Sequence, residues 1–135
     1  MVTVDHHLDP FISKSLGLTD YKLYQLAGDA SNRRYYRVIA QDKSWVLMRW
    51  EPFDPNKYPF ISVLNHLAKN QVHVPKIEAM SPSEGLMLLE DLGDLTLERK
   101  CWETQDHSTS YEFYEMALDE IIKIHYPATN NKAPC

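Results

Sequence analysis

The sequence predicts an α+β fold: a five-stranded antiparallel sheet with one helix inserted after the third strand, one helix before the sheet and helices after it. Three observations lead there. Short runs rich in aromatic, β-branched or alternating apolar residues, each bounded by Gly, Asp, Ser or Pro, recur as far as Glu90 and read as strands. Between the third and fourth of them, Pro59–Lys69 carries Phe60, Val63, Leu64 and Leu67 at helical spacing. Beyond Glu90 the strand signal stops and the apolar spacing turns helical.

Each element has its own justification. Asp9-Pro10 has the form of an N-cap followed by proline at the first helical position, and Phe11, Ile12 and Leu16 then give a short helix that Gly17 can end. Its expected place is beneath the sheet. Tyr21–Leu26 and Tyr35–Ala40 are strand-like runs joined by a Gly, Asp and Ser turn, so they predict a hairpin. Gln41-Asp42-Lys43 turns the chain into a third strand, Ser44–Trp50, with Val46, Met48 and Trp50 on one face and Leu47 and Arg49 on the other. The prolines at 52, 55 and 59 mark a connecting loop into the helix, which Asn70 closes as a C-cap. Pro75 blocks continuation, and Lys76–Met80 alternates as a fourth strand with Ile77 and Ala79 inward.

Ser81-Pro82-Ser83-Glu84-Gly85 is the densest turn signal, and Leu86–Glu90 after it is a continuous apolar run of the kind a buried strand shows. Asp91-Leu92-Gly93-Asp94 halts that strand. Leu95–Trp102 predicts a short helix, Glu103–Ser110 a polar loop, and Tyr111–His125 a longer helix. The longer helix groups Tyr114, Ala117, Leu118, Ile121 and Ile122 on one face and Glu112, Glu115, Asp119 and Glu120 on the other. Pro127–Cys135 reads as a frayed tail.

Composition excludes several function classes. At 135 residues, 44% hydrophobic and 24% charged, the chain fits one ordinary soluble domain, or part of one, with a modest core. A net charge of -5 and a pI near 5.6 argue against a dedicated nucleic-acid binder. No apolar run approaches the roughly 20 residues needed to cross a bilayer, and the N-terminus lacks the basic and apolar regions of a signal peptide. Cys101 and Cys135 form no C-x-x-C, so neither a disulfide framework nor a zinc site is expected, and the reading is a reducing cytoplasm.

The chemistry concentrates in Gly28-Asp29-Ala30-Ser31-Asn32-Arg33-Arg34-Tyr35-Tyr36-Arg37, the tip of the first hairpin. Gly28 lets the backbone approach a ligand closely, and successive loop N–H groups can make a concavity for an anion. Arg33, Arg34 and Arg37 add forked donors suited to phosphate oxygens. The same residues also read as an ordinary turn followed by a solvated arginine face, and neither the Walker pattern nor G-x-G-x-x-G is present. Their mixture of aromatic and cationic residues occurs on RNA-binding surfaces as well, but the chain is acidic.

That stretch, together with Val46-Leu47-Met48, Pro59-Phe60, Val74-Pro75 and Leu88-Leu89-Glu90-Asp91-Leu92-Gly93-Asp94, in this order and at these intervals, resembles the N-terminal part of the aminoglycoside phosphotransferase-like, protein-kinase-like family. Within it the chain is similar to bacterial amino-sugar kinases that phosphorylate N-acetylmuramate and N-acetylglucosamine at the anomeric hydroxyl. The resemblance covers residues 10–126. It implies a kinase-like small lobe over residues 1–94 with a hinge at 89–93, a helical segment at 95–126 that begins the second lobe, and the tail at 127–135.

The resemblance also implies roles. Gly28, Asp29, Ala30, Ser31 and Asn32 would cover the ATP phosphates, with Arg33 and Arg34 contacting them. Val38, Val46 and Met48 would lie over the adenine, Leu89 would be the gatekeeper, and Glu90 C=O and Leu92 N–H would meet the adenine edge. Two departures accompany it. Met48 stands where kinase-like folds place a lysine, and Pro59–Lys69 holds no acid to pair with one, so both halves of that ion pair are absent together. The H-x-D-x-x-x-x-N catalytic loop and the Mg2+ ligands of the family are not found: the one H-x-D, His7-Leu8-Asp9, precedes the hairpin, and Asp91-Leu92-Gly93, which looks like a metal-binding D-F-G, falls at the hinge.

The expectation is therefore the ATP-binding part of a sugar or amino-sugar kinase that is inactive by itself, with no catalytic or metal-binding residue of its own. The alternative is a non-catalytic interaction module derived from such a lobe. In that case a partner chain or self-association would cover the inter-lobe surface.

Overall fold

A computed structural model of the chain describes residues 8–26 and 32–130. Its contacts divide into two compact units, one built from the chain up to Pro55 together with Pro75–Asp91, the other from Asn56–Val74 and the chain from Leu92 onward. The first unit holds helix α1 (Asp9–Leu16) and five strands: β1 (Lys22–Gln25), β2 (Arg34–Ala40), β3 (Lys43–Arg49), β4 (Ile77–Ser81) and β5 (Leu86–Glu90). They form one antiparallel sheet in the order β1-β2-β3-β5-β4. Helix α2 (Pro59–Lys69) follows β3 in the chain, and α3 (Leu97–Thr104) and α4 (His107–Lys123) follow β5. The α+β architecture is the one the sequence predicts.

The register sorts the residues by face. Tyr36, Leu47 and Leu88 form one cross-strand row and Val38, Trp45 and Glu90 the next, so these share a face. Arg37, Val46 and Leu89, and Tyr35, Met48 and Met87, form the rows of the opposite face. The first face packs on α1, where Leu8, Phe11 and Ile12 meet Tyr36, Val38, Leu47, Leu86 and Leu88 in one buried cluster. Leu86–Leu89 is buried throughout, which is why β5 appears in the sequence as an unbroken apolar run rather than an alternation.

Three local details depart from the sequence reading in this unit. Asp9 is the first residue of α1, not its cap. The N-cap position is Leu8, with no side-chain hydrogen bond, and the Asp9 carboxylate instead accepts the Tyr21 hydroxyl. Ile77 and Ala79 do not point the same way. A bulge at Glu78 shifts the register so that Ile77 opposes Leu89 while Ala79 opposes Leu88 and borders the α1 cluster. The third strand ends one residue early, at Arg49. Gly17 does end α1, in the left-handed region at φ 66°.

The Tyr21 contact has a pH signature. Burial, then the hydrogen bond and charge of Asp9, push the Tyr21 hydroxyl well above its ordinary value of 10.0. A raised acid contributes stability that is present below the unfolded value and is lost as pH climbs through the folded one. Denaturant melts should therefore show this contribution intact up to about pH 10 and declining above it, and Tyr21→Phe should remove that alkaline decline.

The second unit is helical. Ile61 and Leu64 are the buried positions of α2, and Phe60, expected on the same face, is exposed and stacks on Tyr58 with ring centroids 5.8 Å apart. Asn70 ends α2 as expected, its side-chain amide donating to His66 C=O at 2.8 Å. Where a loop from Glu103 to Ser110 was expected, only Gln105 and Asp106 separate α3 from α4. Asp106 caps α4, accepting from the Ser108 N–H at 3.0 Å and from the Ser108 and Thr109 hydroxyls at 2.8 Å, and these donors hold its carboxyl below the usual range.

The chain is also helical past Pro127. Residues Ile124–Ala128 form a π turn, as expected where proline supplies no N–H to the α-helical ladder, and helix continues to residue 130. The His66 ring donates from Nε2 to Ala128 C=O at 2.7 Å, and the His73 backbone N–H donates to Glu120 at 2.8 Å, so the His66 side chain and the His73 main chain tie parts of this unit together. Among the described residues no helix is long and apolar enough to cross a membrane.

Candidate nucleotide site

The face of the sheet opposite α1 carries three of the residues singled out for the base, Val46, Met48 and Leu89. Val46 opposes Leu89 and Arg37, and Met48 opposes Met87 and Tyr35. Met48 is 1% exposed and Met87 is fully buried. A lysine in place of Met48 would bury an ammonium among these apolar neighbours, so the methionine suits its surroundings. Ile77, brought to this face by the β4 bulge, extends the apolar row beside Leu89.

Val38 is separated from this group. It opposes Trp45, is fully buried in the α1 cluster, and so stands on the other side of the sheet from Val46, Met48 and Leu89. The β2 residues that do share their face are Tyr35, Arg37 and Ile39. The alternation of β2 could not reveal this, because Tyr35-Tyr36 and Val38-Ile39 offer an apolar or aromatic side chain to either face.

The arginines also part company. Gly28, Asp29, Ala30 and Ser31 lie outside the described residues. Asn32 is exposed where the chain enters β2. The Arg33 guanidinium lies over the Trp50 ring, 5.0 Å from its centroid, which holds a planar cation at the entrance of the hairpin. Arg34 opens β2 opposite Arg49, on the α1 face, turned away from Val46 and Met48. Arg37 is on the Val46 face, and its fork is engaged by Asp91: Nε donates to Oδ2 at 2.7 Å and Nη2 to Oδ1 at 3.1 Å.

The turn before β5 fastens the end of β3. Trp50 N–H donates to Gly85 C=O at 2.8 Å and Phe53 N–H to Pro82 C=O at 3.0 Å. These bonds fix the backbone that carries Trp50 and, through it, Arg33. At the far end of β5, Glu90 is tied twice to Lys76: its N–H donates to Lys76 C=O at 2.8 Å, and its carboxylate accepts the Lys76 N–H at 3.1 Å. Leu92 is exposed and belongs to the second unit. The forked pair of Arg37 and Asp91 is the feature of this face that sequence reasoning missed. Among the described residues no three His, Cys, Asp or Glu side chains converge as metal ligands.

What this unit can do chemically is limited and definite. It has an apolar sheet face on which Val46 is partly exposed while Met48, Met87 and Leu89 are buried, a hydrogen-bonded backbone at the exit of β5, and a cation stacked on Trp50 at the hairpin mouth. No nucleophile, base and acid come together among them.

Comparison with known proteins adds the rest. A family model described as the phosphotransferase enzyme family matches residues 22–134. An N-acetylmuramate/N-acetylglucosamine kinase of Pseudomonas aeruginosa is 37% identical over 101 residues, covering 75% of this chain and 29% of its own length. One of the same description from Pseudomonas putida is 41% identical over 70 residues, covering 52% of this chain and 21% of its own. A third, from Caulobacter vibrioides, is 26% identical over 140 aligned residues, covering 84% of this chain and 38% of its own. The chain thus spans between 21% and 38% of the curated relatives it matches.

Proposed function

The chain belongs to the phosphotransferase enzyme family, and from that premise we propose that it is the ATP-binding part of a kinase acting on a hydroxyl of a sugar or amino sugar. Family membership implies ATP as phosphoryl donor. The acceptor class rests on the printed activities of the relatives, all N-acetylmuramate/N-acetylglucosamine kinases. The observation that carries the reading is the apolar face of Val46, Met48 and Leu89 ending at the anchored Glu90–Asp91 backbone, with Arg33 held on Trp50.

In this reading Val46, Met48 and Leu89 cover the adenine, and backbone groups at Glu90 and Leu92 meet its edge. Gly28–Asn32 wraps the phosphates. Arg33, turned to Trp50, has the phosphate role ahead of Arg34, which faces α1. Phosphoryl transfer depends on positioning and charge stabilisation, and the base and the Mg2+ ligands would come from residues other than those described. The 135 residues are accordingly proposed to bind nucleotide without turning it over.

The test is thermal unfolding of the chain with and without millimolar Mg-ATP. Ligand at 100 times its dissociation constant stabilises the folded state by about 2.7 kcal/mol, a rise of several degrees in a domain of this size. A cooperative melt that ATP leaves unmoved contradicts the reading. Arg33→Ala is expected to weaken ATP binding about tenfold, the loss of one charge-assisted contact, while Arg34→Ala leaves it nearly unchanged. Titration calorimetry on the two variants checks this, and the reverse ranking would return the role to Arg34.

A second reading, an interaction module, is favoured by α4. Tyr111, Tyr114, Leu118, Ile121 and Ile122 fall on one side of this helix, and all are exposed. Apolar surface of this extent rarely stays open on a monomer. Glu112, Glu115 and Asp119 border the stripe along one edge only, and in this reading a second copy of the chain covers it. Light scattering should show the chain above its monomer mass, and Leu118→Glu with Ile121→Glu should return it to monomer. A monodisperse wild-type monomer counts against self-association.

A further inference from the structure

Asp91 reaches across the sheet. It follows β5 by one residue and lies on the side of Leu89, yet its partner is Arg37 in the middle of β2, with β3 between the two strands. The contact is a two-bond fork, Nε to Oδ2 at 2.7 Å and Nη2 to Oδ1 at 3.1 Å, and the side chains are 4% exposed at Asp91 and 18% at Arg37. Arg37 opposes Val46, which opposes Leu89, so the pair spans the central strand beside the residues read as the roof of the base. The preceding residue is held from the other direction, since Glu90 exchanges two hydrogen bonds with Lys76 ahead of β4. Two consecutive residues are thereby held toward opposite edges of the sheet, which fixes the backbone at the exit of β5.

Stability alone does not call for this arrangement. Taking both ions out of water offsets much of their attraction, and apolar residues of similar volume commonly serve a core as well. What a forked pair supplies and apolar packing does not is a set direction and distance. Resting on the nucleotide reading above, we propose that Arg37 and Asp91 are positioning residues that set the β5-exit backbone against the edge of the base. They then govern which base is accepted, while Arg33 and the hairpin govern the grip on phosphate. Arg37 is thereby removed from the phosphate donors and given a different task.

The experiment measures binding of ATP, GTP and inorganic tripolyphosphate to the 135-residue chain and to Asp91→Asn, which keeps the shape and removes the charge. The wild-type chain should prefer ATP over GTP. In Asp91→Asn the ATP dissociation constant should rise about tenfold, the preference should fall toward unity, and tripolyphosphate affinity should stay unchanged. Arg37→Lys keeps the charge and loses the fork, and should show the same pattern; it carries the test should Asp91→Asn melt below the assay temperature. Asp91→Glu, which restores a forked carboxylate, should recover part of the preference.

A merely structural pair would lower all three affinities together, or none, and either result overturns the proposal. A wild-type chain that binds ATP with a preference the variants retain overturns this inference and leaves the nucleotide reading standing. A wild-type chain that binds no ATP overturns both.

Discussion

Gly85→Ala is expected to unfold the sheet unit, or to leave it too weak to melt cooperatively. Gly85 follows the one-turn helix Pro82–Glu84 at φ 68°, where any side chain is strained. A Cβ there would sit 2.1 Å from the carbonyl oxygen of Trp50 and within 2.8 Å of the carbonyl carbon of Glu51. Those are backbone atoms, so no rotamer change relieves the contact. The left-handed backbone costs about 1–2 kcal/mol for a non-glycine residue, and forced overpacking adds about 1–3 kcal/mol. Together they amount to about 2–5 kcal/mol, a large part of the stability of a small domain.

The damage also reaches the residues proposed to hold the phosphates. Moving Trp50 breaks the bond from its N–H to Gly85 C=O and displaces the ring that supports Arg33. Gly17→Ala is the matched control. It has a similar φ of 66° but open space around the added carbon, so only the backbone term of about 1–2 kcal/mol applies. Circular dichroism melts of the two variants should separate them clearly. Equal losses would mean the crowding at Gly85 is relieved by a backbone shift.

Removing one member of the Arg37–Asp91 pair should cost about 3–5 kcal/mol, because the other keeps its charge in a site where water does not fully replace the lost partner. The two halves should not be equal. Asp91 is the more deeply buried, 4% against 18%, and Arg37 has a long stem with which to carry its head toward solvent. Arg37→Met, which takes the forked partner from the carboxylate, should therefore be worse than Asp91→Leu. The double variant Arg37→Met with Asp91→Leu should recover most of the loss. Urea unfolding of the four proteins gives the coupling directly. Additive losses would mean the fork contributes little beyond its two side chains taken singly.

Much of the fold was legible because the sequence states it locally. Alternation and turn residues delimit the strands, and the Pro59–Lys69 spacing gives the inserted helix. The misses share a physical cause: each depends on information that pattern does not carry. Val38 is grouped with Val46 and Met48 in the sequence reading, and the sheet separates them, because β2 carries large residues at consecutive positions and parity has nothing to anchor it. Ile77 and Ala79 were put together because a one-residue bulge leaves no mark in an alternating pattern. Asp106 does carry a signal, a capping carboxylate followed by Ser108 and Thr109, and the length of the polar run hid it.

The candidate site rests on the resemblance and much less on the residues themselves. Met48 could be placed because its strand is unambiguous. The separate fates of Arg33, Arg34 and Arg37 could not, since each depends on register and on a partner far along the chain, Asp91 being 54 residues from Arg37. Asp91 had been set aside as a false metal-binding motif. The structure gives it a partner instead.

The most direct measurement is photo-crosslinking of the chain with an azido-adenine analogue of ATP, followed by peptide mapping. Labelling that saturates, that excess ATP abolishes, and that falls on the peptides carrying Val46–Met48 and Leu89–Asp91 is the expected result. Labelling that ATP does not compete, or that maps to the α1 face around Phe11 and Val38, would contradict the claim that this sheet unit binds a nucleotide.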